Sequence, residues 1–432
     1  MARLRWAYLG GGSTRAPGTM ASFVAQGENF RGSEVVLVDL DETRLELVAA
    51  LTRKFAEEAG LELSVCATTD RAEALRDCDA VLSSFRPGGF EMRHLDESIP
   101  LRRGVIGQET QGPGGFFMAL RSVHVVKELV TEMERLCPQA TLFNYTNPVN
   151  IVAEAVTHHS RVRTISLCEG PIVFPRELAA AAGLEPSKVE ATMVGLNHAC
   201  WSVRARYDGQ ELIPLVREAY ARQRAAGADR KTVRMLELAS VMGSLPASYF
   251  QYYYFRDEVL AELQAKPTTR AEDIMAAVPG YWQHYREQLH ETKPKLDPAR
   301  SRGGIHELEL AFDVMDAVYN DRRVVWPVNV PNRGALSDFP DDLVVEVPAL
   351  IDKHGATPLV QGPLPKAVVG LVKLLGEYQA LTAEAAWSGD RRTALQALTS
   401  HPLVPSLPKA ETLYNEMAYA MKAYLPERLW PG

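Results

Sequence analysis

The chain has 432 residues, of which 46% are hydrophobic, and a formal net charge of −7. This composition suits one large or two ordinary globular domains and argues against non-specific nucleic-acid binding, which needs a basic face. No window contains the roughly 18–20 uninterrupted apolar residues of a membrane helix, and no signal-peptide pattern opens the chain. We therefore expect no membrane partner. The five cysteines are odd in number and irregularly spaced, so we expect reduced thiols and a cytoplasmic location.

In the first half of the sequence, short apolar segments alternate with segments of helical spacing. The predicted strands are 4–9, 34–40, 80–85, 140–145 and 163–167. Predicted helices follow the turn at 10–13, cover 42–59 and, after a polar loop, cover 116–136. Such alternation is typical of a parallel sheet with helices on both faces.

Beyond about Gly195 the pattern changes. Strands are predicted at 203–207, 324–330 and 343–347, and helices at 215–226, 231–241, 271–290 and 307–320, with a mainly helical remainder. We therefore predict an α/β protein with a doubly wound Rossmann-type sheet over residues 1–195 and a mixed α+β domain over 196–432. No linker rich in Pro, Gly or Ser separates the two halves, so we expect them to pack tightly.

A glycine-rich turn follows the first predicted strand and predicts a dinucleotide site. Gly10, Gly11, Gly12 and Ser13 allow a tight turn, and the following helix offers free N–H groups to a pyrophosphate. Asp39, at the end of the second strand, can accept hydrogen bonds from a ribose diol, which favours NAD over NADP. The third glycine of the usual pattern is missing, and a plain strand-to-helix turn is the alternative interpretation.

Three polar segments, at 144–148, 167–170 and 195–198, each follow a predicted strand. Because ligands of doubly wound sheets bind beyond the carboxyl ends of the strands, these segments are expected to converge. Cys168 and His198 could then hold a divalent transition metal with positions left open for substrate oxygens. Cys200 is a competing ligand, and a buried thiol beside a hydrogen-bonded core histidine is the structural alternative.

Several motifs together resemble glycoside hydrolase family 4, most closely its 6-phospho-β-glucosidase branch. They are the segments 10–13, 93–97, 107–110, 112–117, 144–148, 167–168, 195–198, 246–254, 269–271 and 328–332. The resemblance implies a lactate/malate dehydrogenase-like architecture, bound NAD, a divalent metal (most simply Mn²⁺) and assembly as a homodimer or homotetramer. It also implies an unusual glycosidase chemistry with a phosphorylated glucoside as substrate: oxidation at sugar carbon 3, elimination, water addition and re-reduction.

The resemblance also implies roles for individual residues. Tyr249 maps onto the family's base, and Arg93, Asn147 and Arg270 map onto substrate-contacting positions, where arginine suits a sugar phosphate. Glu169 stands where other members carry aspartate or asparagine, and it either protonates the leaving oxygen or only shapes the pocket. Arg302 is a further phosphate candidate; Arg15-Ala16 and Ile305-His306-Glu307 depart from the phospho-β pattern.

Other functions are compatible with parts of the sequence. An α-glycosidase of the same family, such as a 6-phospho-α-glucosidase or an α-galactosidase type, would be consistent with Glu169. An NAD-linked 2-hydroxy-acid dehydrogenase could use His198 as its acid and base, but it would need neither Cys168 nor Tyr249. A non-catalytic sensor of nucleotide and sugar phosphate would not need Cys168, His198 and Tyr249 together.

Overall fold

The computed structural model describes residues 1–302 and 310–431, and within these ranges the chain forms twelve strands and sixteen α-helices. The strands are β1 (Arg5–Leu9), β2 (Ser33–Val38), β3 (Leu63–Thr68), β4 (Ala80–Ser83), β5 (Thr141–Asn144), β6 (Arg163–Ser166), β7 (Val189–Leu196), β8 (Ala199–Tyr207), β9 (Gln210–Glu211), β10 (Val324–Pro331), β11 (Val344–Asp352) and β12 (Gly355–Pro358). The helices are α1 (Ala16–Ala25), α2 (Glu42–Glu58), α3 (Arg71–Leu75), α4 (Gly89–Arg102), α5 (Gly112–Leu136), α6 (Val149–His159), α7 (Gly170–Ala181), α8 (Leu212–Ala225), α9 (Arg230–Met242), α10 (Gln251–Tyr254), α11 (Arg256–Ala265), α12 (Arg270–His290), α13 (Leu310–Tyr319), α14 (Val369–Ser388), α15 (Arg391–Ser400) and α16 (Leu407–Ala420).

The amino-terminal strands form the predicted parallel sheet, in the order β3-β2-β1-β4-β5-β6. Its central strand β1 is buried on both faces: Trp6 and Tyr8 belong to one apolar cluster, and Ala7 and Leu9 belong to the other. This arrangement explains why the parallel strands are almost continuously apolar. The Rossmann-type prediction is confirmed.

Several elements were not predicted from the sequence, among them β3, α4, α6, α7 and β7. Strand β3 was not predicted because it is the edge strand and alternates exposed and buried residues without an apolar run. Helix α4 occupies part of the expected polar loop, because its inward face carries Arg93, Asp96 and Glu97 in place of apolar residues. The first residues of the helix predicted at 307–320 lie outside the described ranges, and α13 covers the remainder.

One sheet runs through both halves of the chain. Beyond β6 the strand order continues β10-β11-β7-β8-β9 with antiparallel pairing. Strands β6 and β10 pair at one position, Ser166 with Asn329, and β11 and β7 pair at one position, Glu346 with Gly195. Asn329 also pairs with Glu346, so the four residues form one row across the sheet. We call these four residues the junction row.

The two halves also share one apolar core. Trp6 of β1 and Phe312 of α13 pack edge to face with their ring centroids 5.8 Å apart, and both belong to the same buried cluster. The predicted boundary near residue 195 lies within β7, which pairs with β8 along its whole length. Within the described ranges, none of the helices combines the length and apolar character that crossing a lipid bilayer requires.

Candidate active site

The glycine-rich turn lies over the carboxyl ends of three neighbouring strands. Gly10 has a φ of 95°, and a Cβ atom there would lie 2.2 Å from the carbonyl oxygen of Ser84, so no larger residue fits. The N–H groups of Gly10 and Gly11 donate to the carbonyl oxygen of Val38 at 2.9 and 3.0 Å. The turn leads directly into α1, where the N–H of Ala16 donates to the carbonyl oxygen of Ser13 at 3.1 Å.

Asp39 is close to this turn, as the dinucleotide prediction requires. Its Oδ2 accepts from the N–H of Gly12 at 3.0 Å, and its Oδ1 accepts from the N–H of Leu40 at 2.8 Å. Among the described residues, the buried Oγ of Ser13 has no hydrogen-bond partner. The glycine turn without side chains, the unpartnered Ser13 hydroxyl and the Asp39 carboxylate after β2 fit the pyrophosphate and ribose of a dinucleotide.

Cys168 and His198 meet beside the junction row. The distance from Cys168 Sγ to His198 Nε2 is 3.6 Å, although 30 residues separate them in sequence. Cys168 lies two residues beyond β6, and His198 forms the β7–β8 turn with a φ of 61°. Burial raises the pKa of the Cys168 thiol to about 12 and lowers that of His198 to about 4.

This pair fits a divalent transition metal with an open coordination sphere. Within the described residues, no three His, Cys, Asp or Glu side chains form a metal-binding group. A thiol and a neutral imidazole are suitable ligands, and two protein donors leave room for substrate oxygens. Cys200 lies in β8, fully buried, where burial raises the pKa of its thiol far above the usual range.

Tyr249 lies directly against His198. Its ring stacks on the imidazole of His198, with centroids 3.9 Å apart and planes 8° apart, and it contacts Phe174 edge to face. Burial raises the pKa of its phenol well above the usual value. A cation next to the ring would lower this pKa, because it favours the phenolate.

Glu169 lies between Cys168 and the residues that follow the glycine-rich turn. Its Oε1 lies 3.4 Å from Arg15 Nη2 and 3.4 Å from the hydroxyl of Tyr145, and the Arg15 guanidinium lies 5.3 Å from the centre of the Tyr145 ring. Asn147 follows β5 at the same edge, and its buried Oδ1 has no partner within the described residues. An amide oxygen in this position is available to a sugar hydroxyl.

Three arginines, Arg86, Arg93 and Arg302, form a cationic group that we call the arginine group. Arg93, buried on α4, donates to Glu97 at 2.7 Å and contacts Glu109 at 3.1 Å, while Arg86 contacts the same Glu109 oxygen at 2.6 Å. Arg302 is half-buried, with its Nη1 atom 3.5 Å from Thr14 Oγ1. Burial, together with Arg86 and Arg93, lowers the pKa of Arg302, which identifies a cationic environment that an anion would stabilise.

Arg270 is linked to this group through the helix it begins. Glu97 accepts from the N–H of Ala271 at 2.9 Å, and Thr269 and Glu272 form a capping box at the same helix end. The Arg270 side chain itself is exposed. Glu97 therefore connects the predicted substrate residues Arg93 and Arg270, although these two lie far apart in sequence.

Sequence reasoning did not single out three residues of this site. Arg86 follows β4 at the same sheet edge as the predicted loops, a position that could have identified it. Glu346 is a lone carboxylate inside the apolar run Val344–Val347, which signals a buried charge with a specific partner. Thr110, which contacts His198, lies in the segment 107–110 that carries part of the family resemblance, but no role was predicted for it.

The chain matches one protein family over most of its length. Residues 5–184 match the family described as family 4 glycosyl hydrolase, and residues 193–404 match the family 4 glycosyl hydrolase C-terminal domain. A probable 6-phospho-beta-glucosidase of Bacillus subtilis (strain 168) is 36% identical over 429 residues, which are 97% of this chain and 96% of that protein.

Solved structures show the same similarity. A 6-phospho-alpha-glucosidase from gut microorganisms, in complex with NAD and Mn²⁺, has a TM-score of 0.85 and 26% identity, covering 100% of this chain and 99% of that one. The 6-phospho-beta glucosidase of Thermotoga maritima, with manganese, NAD⁺ and glucose-6-phosphate, has a TM-score of 0.83 and 27% identity, covering 98% and 99%. A malate dehydrogenase of Cryptosporidium parvum, 14% identical over 90% of this chain and 100% of that one with a TM-score of 0.56, shares the fold.

The fold and the site define a Rossmann-type protein in which a cysteine–histidine pair lies at the same sheet as a glycine-rich turn. The chain belongs to glycoside hydrolase family 4.

Proposed function

We propose that this chain hydrolyses 6-phospho-β-glucosides with NAD and a divalent metal, most simply Mn²⁺. The observation that carries the proposal is the contact between Cys168, His198 and Tyr249, in a chain of this family. The B. subtilis relative named a probable 6-phospho-beta-glucosidase and the T. maritima structure with manganese, NAD⁺ and glucose-6-phosphate support the same assignment.

The residues of the glycine-rich turn would hold the dinucleotide. Gly10 to Ser13 and the start of α1 would receive the pyrophosphate, and Asp39 would accept from the ribose hydroxyls. When bound, NAD would supply a reversible hydride acceptor for sugar carbon 3, and the metal would supply Lewis acidity toward the sugar hydroxyls.

Cys168 Sγ and His198 Nε2 are the donors that would hold the metal. Tyr249, whose ring stacks on that of His198, would accept the proton of carbon 2 on its Oη atom. Glu169, immediately after Cys168, would donate a proton to the leaving oxygen on the Arg15 side of the site.

The arginine group would recognise the phosphate. Arg86, Arg93 and Arg302 bring three positive charges, and Glu97 and Glu109 bring two negative charges, so the group retains one positive charge. Arg270, exposed at the start of α12, would add a second cation, and Asn147 would bind a sugar hydroxyl. Guanidinium groups bind phosphate oxygens in pairs, which favours a phosphorylated substrate over a neutral one.

The test is release of p-nitrophenol from its 6-phosphorylated β-glucoside, with NAD and Mn²⁺ each omitted in turn. We expect activity only when both are present, without net accumulation of NADH. Turnover of the α-anomer alone would move the substrate to the α-linked phosphoglucosides, which the 26%-identical α-glucosidase structure makes the second candidate. Net consumption of NAD on a 2-hydroxy acid would replace the glycosidase assignment altogether.

Three further features belong to the same proposal. The cysteines among the described residues are free thiols, which supports a cytoplasmic location. We infer a homodimer or homotetramer, which light scattering coupled to size-exclusion chromatography would measure. We also infer that residues 1–195 serve NAD binding and that residues 196–432 supply the remaining substrate and metal contacts.

A further inference from the structure

A short hydrogen-bond chain leads to the ring of His198 from the side opposite Cys168. The Oγ1 atom of Thr110 lies 3.0 Å from His198 Nδ1. The same Oγ1 lies 3.0 Å from Gln108 Oε1, which also accepts from the backbone N–H of Thr110 at 2.6 Å. Thr110 is buried, so no bulk water competes for its hydroxyl.

The donors and acceptors of this chain can be assigned one after another. The backbone N–H of Thr110 can only donate, so the Gln108 atom facing it is the carbonyl oxygen and not the amide nitrogen. That carbonyl oxygen cannot donate, so the Thr110 hydroxyl donates its single proton to it. The Thr110 oxygen therefore faces His198 with a lone pair, and Nδ1 must carry the ring proton.

The opposite ring nitrogen is then determined as well. With the proton on Nδ1, a neutral imidazole has its lone pair on Nε2, the atom 3.6 Å from Cys168 Sγ. Stacking against Tyr249 with planes 8° apart keeps the ring from turning over. In water the Nε2–H tautomer of histidine predominates, so this chain of contacts reverses an intrinsic preference.

We propose that Gln108 and Thr110 are positioning residues that hold His198 in its Nδ1–H tautomer and so present the Nε2 lone pair to the metal. The inference rests on the proposed function, because it takes Cys168 and His198 as the metal donors. Partners of this kind behind a histidine ligand fix its tautomer, and their loss typically weakens metal binding about 10- to 100-fold.

The first test reads the tautomer in the metal-free protein, before any metal or substrate is added. The full chain would be labelled with ¹³C and ¹⁵N histidine, and the ring signals of His198 would be assigned by comparison with the His198→Asn variant. We expect an Nδ1–H signature in the wild type. Thr110→Val and Gln108→Leu should both shift it toward Nε2–H; in Gln108→Leu the freed Thr110 hydroxyl can donate to Nδ1.

The second test measures Mn²⁺ binding to the same proteins by calorimetry. Thr110→Val and Gln108→Leu should weaken Mn²⁺ binding about 10- to 100-fold, and Thr110→Ser, which keeps the hydroxyl, should bind like the wild type. Thr382→Val is the matched control, because Thr382 is also buried and its hydroxyl donates to the Tyr378 carbonyl oxygen of α14, at 2.7 Å. It should leave both the tautomer and the Mn²⁺ affinity unchanged.

The outcomes separate this inference from the proposed function. A wild type that binds no Mn²⁺ would reject the metal site while leaving the tautomer readable. A wild type that binds Mn²⁺ but shows an Nε2–H signature would overturn the inference alone. Unchanged tautomer and affinity in Gln108→Leu would also overturn it, and this variant leaves the buried Thr110 intact if Thr110→Val does not fold.

Discussion

The imidazole of His198 lies flat against the phenol ring of Tyr249, with ring centroids 3.9 Å apart and planes 8° apart. The Nε2 atom of the same imidazole lies 3.6 Å from Cys168 Sγ. The proposed proton acceptor and one proposed metal donor are therefore in direct contact. A substitution that keeps the shape of either ring should leave its neighbour in place, so the two functions can be tested separately.

Tyr249→Phe keeps the stacked ring and removes only the hydroxyl. We expect kcat to fall about 10²- to 10⁴-fold, the range typical of a lost general base, with nearly unchanged KM and Mn²⁺ affinity. Steady-state kinetics and calorimetry would measure these values. Tyr254→Phe is the control, since Tyr254 packs on Trp201 at 6.0 Å. A kcat of Tyr249→Phe close to the wild-type value would remove Tyr249 from this role.

Cys168→Ser replaces the proposed thiolate donor with a group of similar size. We expect Mn²⁺ binding to be lost, because a serine hydroxyl does not ionise in the neutral range, while NAD still binds at the glycine-rich turn. Calorimetric titration with each ligand would show the difference. The exposed Cys66 provides the control Cys66→Ser, which should bind both. Wild-type Mn²⁺ affinity in Cys168→Ser would point to a different donor set.

Arg270→Gln removes an exposed cation, so it should not change the unfolding temperature. If Arg270 bonds a phosphate oxygen, its loss should raise KM for the 6-phosphorylated glucoside about 10- to 100-fold, the worth of one charge-assisted hydrogen bond. The unphosphorylated glucoside should show no such change. Arg224→Gln on α8 is an exposed control, and equal effects on both substrates would argue against phosphate contact.

Glu169→Gln tests proton donation to the leaving oxygen. An alkyl aglycone leaves poorly without a proton, whereas p-nitrophenol leaves readily, so we expect kcat to fall much more for the alkyl 6-phosphoglucoside. A comparison of both substrates in wild type and variant measures the effect. Equal losses for the two aglycones would indicate instead that Glu169 shapes the pocket through its contacts with Arg15 and Tyr145.

Glu346 should make the stability of the metal-free protein depend on pH. Its carboxyl accepts from Asn197 at 2.9 Å and Asn329 at 3.1 Å, yet burial raises its pKa from 4.5 to about 7. Because the folded-state pKa is the higher one, this contribution to stability is complete below pH 4.5 and is lost as the pH rises through 7. Between pH 5 and 8 the loss should be on the order of 2 kcal/mol.

The isosteric variant Glu346→Gln separates this term from other titrations. It cannot ionise, so its free energy of unfolding should fall less than that of the wild type between pH 5 and 8. Chemical denaturation at both pH values, with a chelator present, would give the difference. Parallel pH profiles for the two proteins would show that Glu346 does not titrate as its surroundings imply.

The sequence carried enough information for the parallel sheet and for most of the proposed site. Buried parallel strands are apolar on both faces, so β1, β2 and β4 could be located from composition alone. The approach of Cys168 to His198 was expected, but for an incomplete reason. His198 follows β7, which is antiparallel to β11 and does not belong to the parallel sheet, so the rule for parallel strands does not account for its position.

Other parts of the site depend on partners that no local pattern contains. Helix α4 buries Arg93 and Glu97 because each finds an opposite charge, and a charged inward face resembles a solvated loop in sequence. Thr110 gains its importance from His198, 88 residues away. Pairings of this kind appear only when the folded chain brings the partners together.

The junction row has a consequence for how this enzyme family can diversify. Cys168 and His198 each follow a residue of that row by two or three positions, so backbone pairing between strands sets their separation. Arg15 and Arg270 lie at the starts of α1 and α12, outside that row. Mutation near α1 and α12 can therefore remodel that side of the site over evolutionary time without moving Cys168 and His198, which would let one ancestral architecture give rise to descendants with different glycosidic preferences.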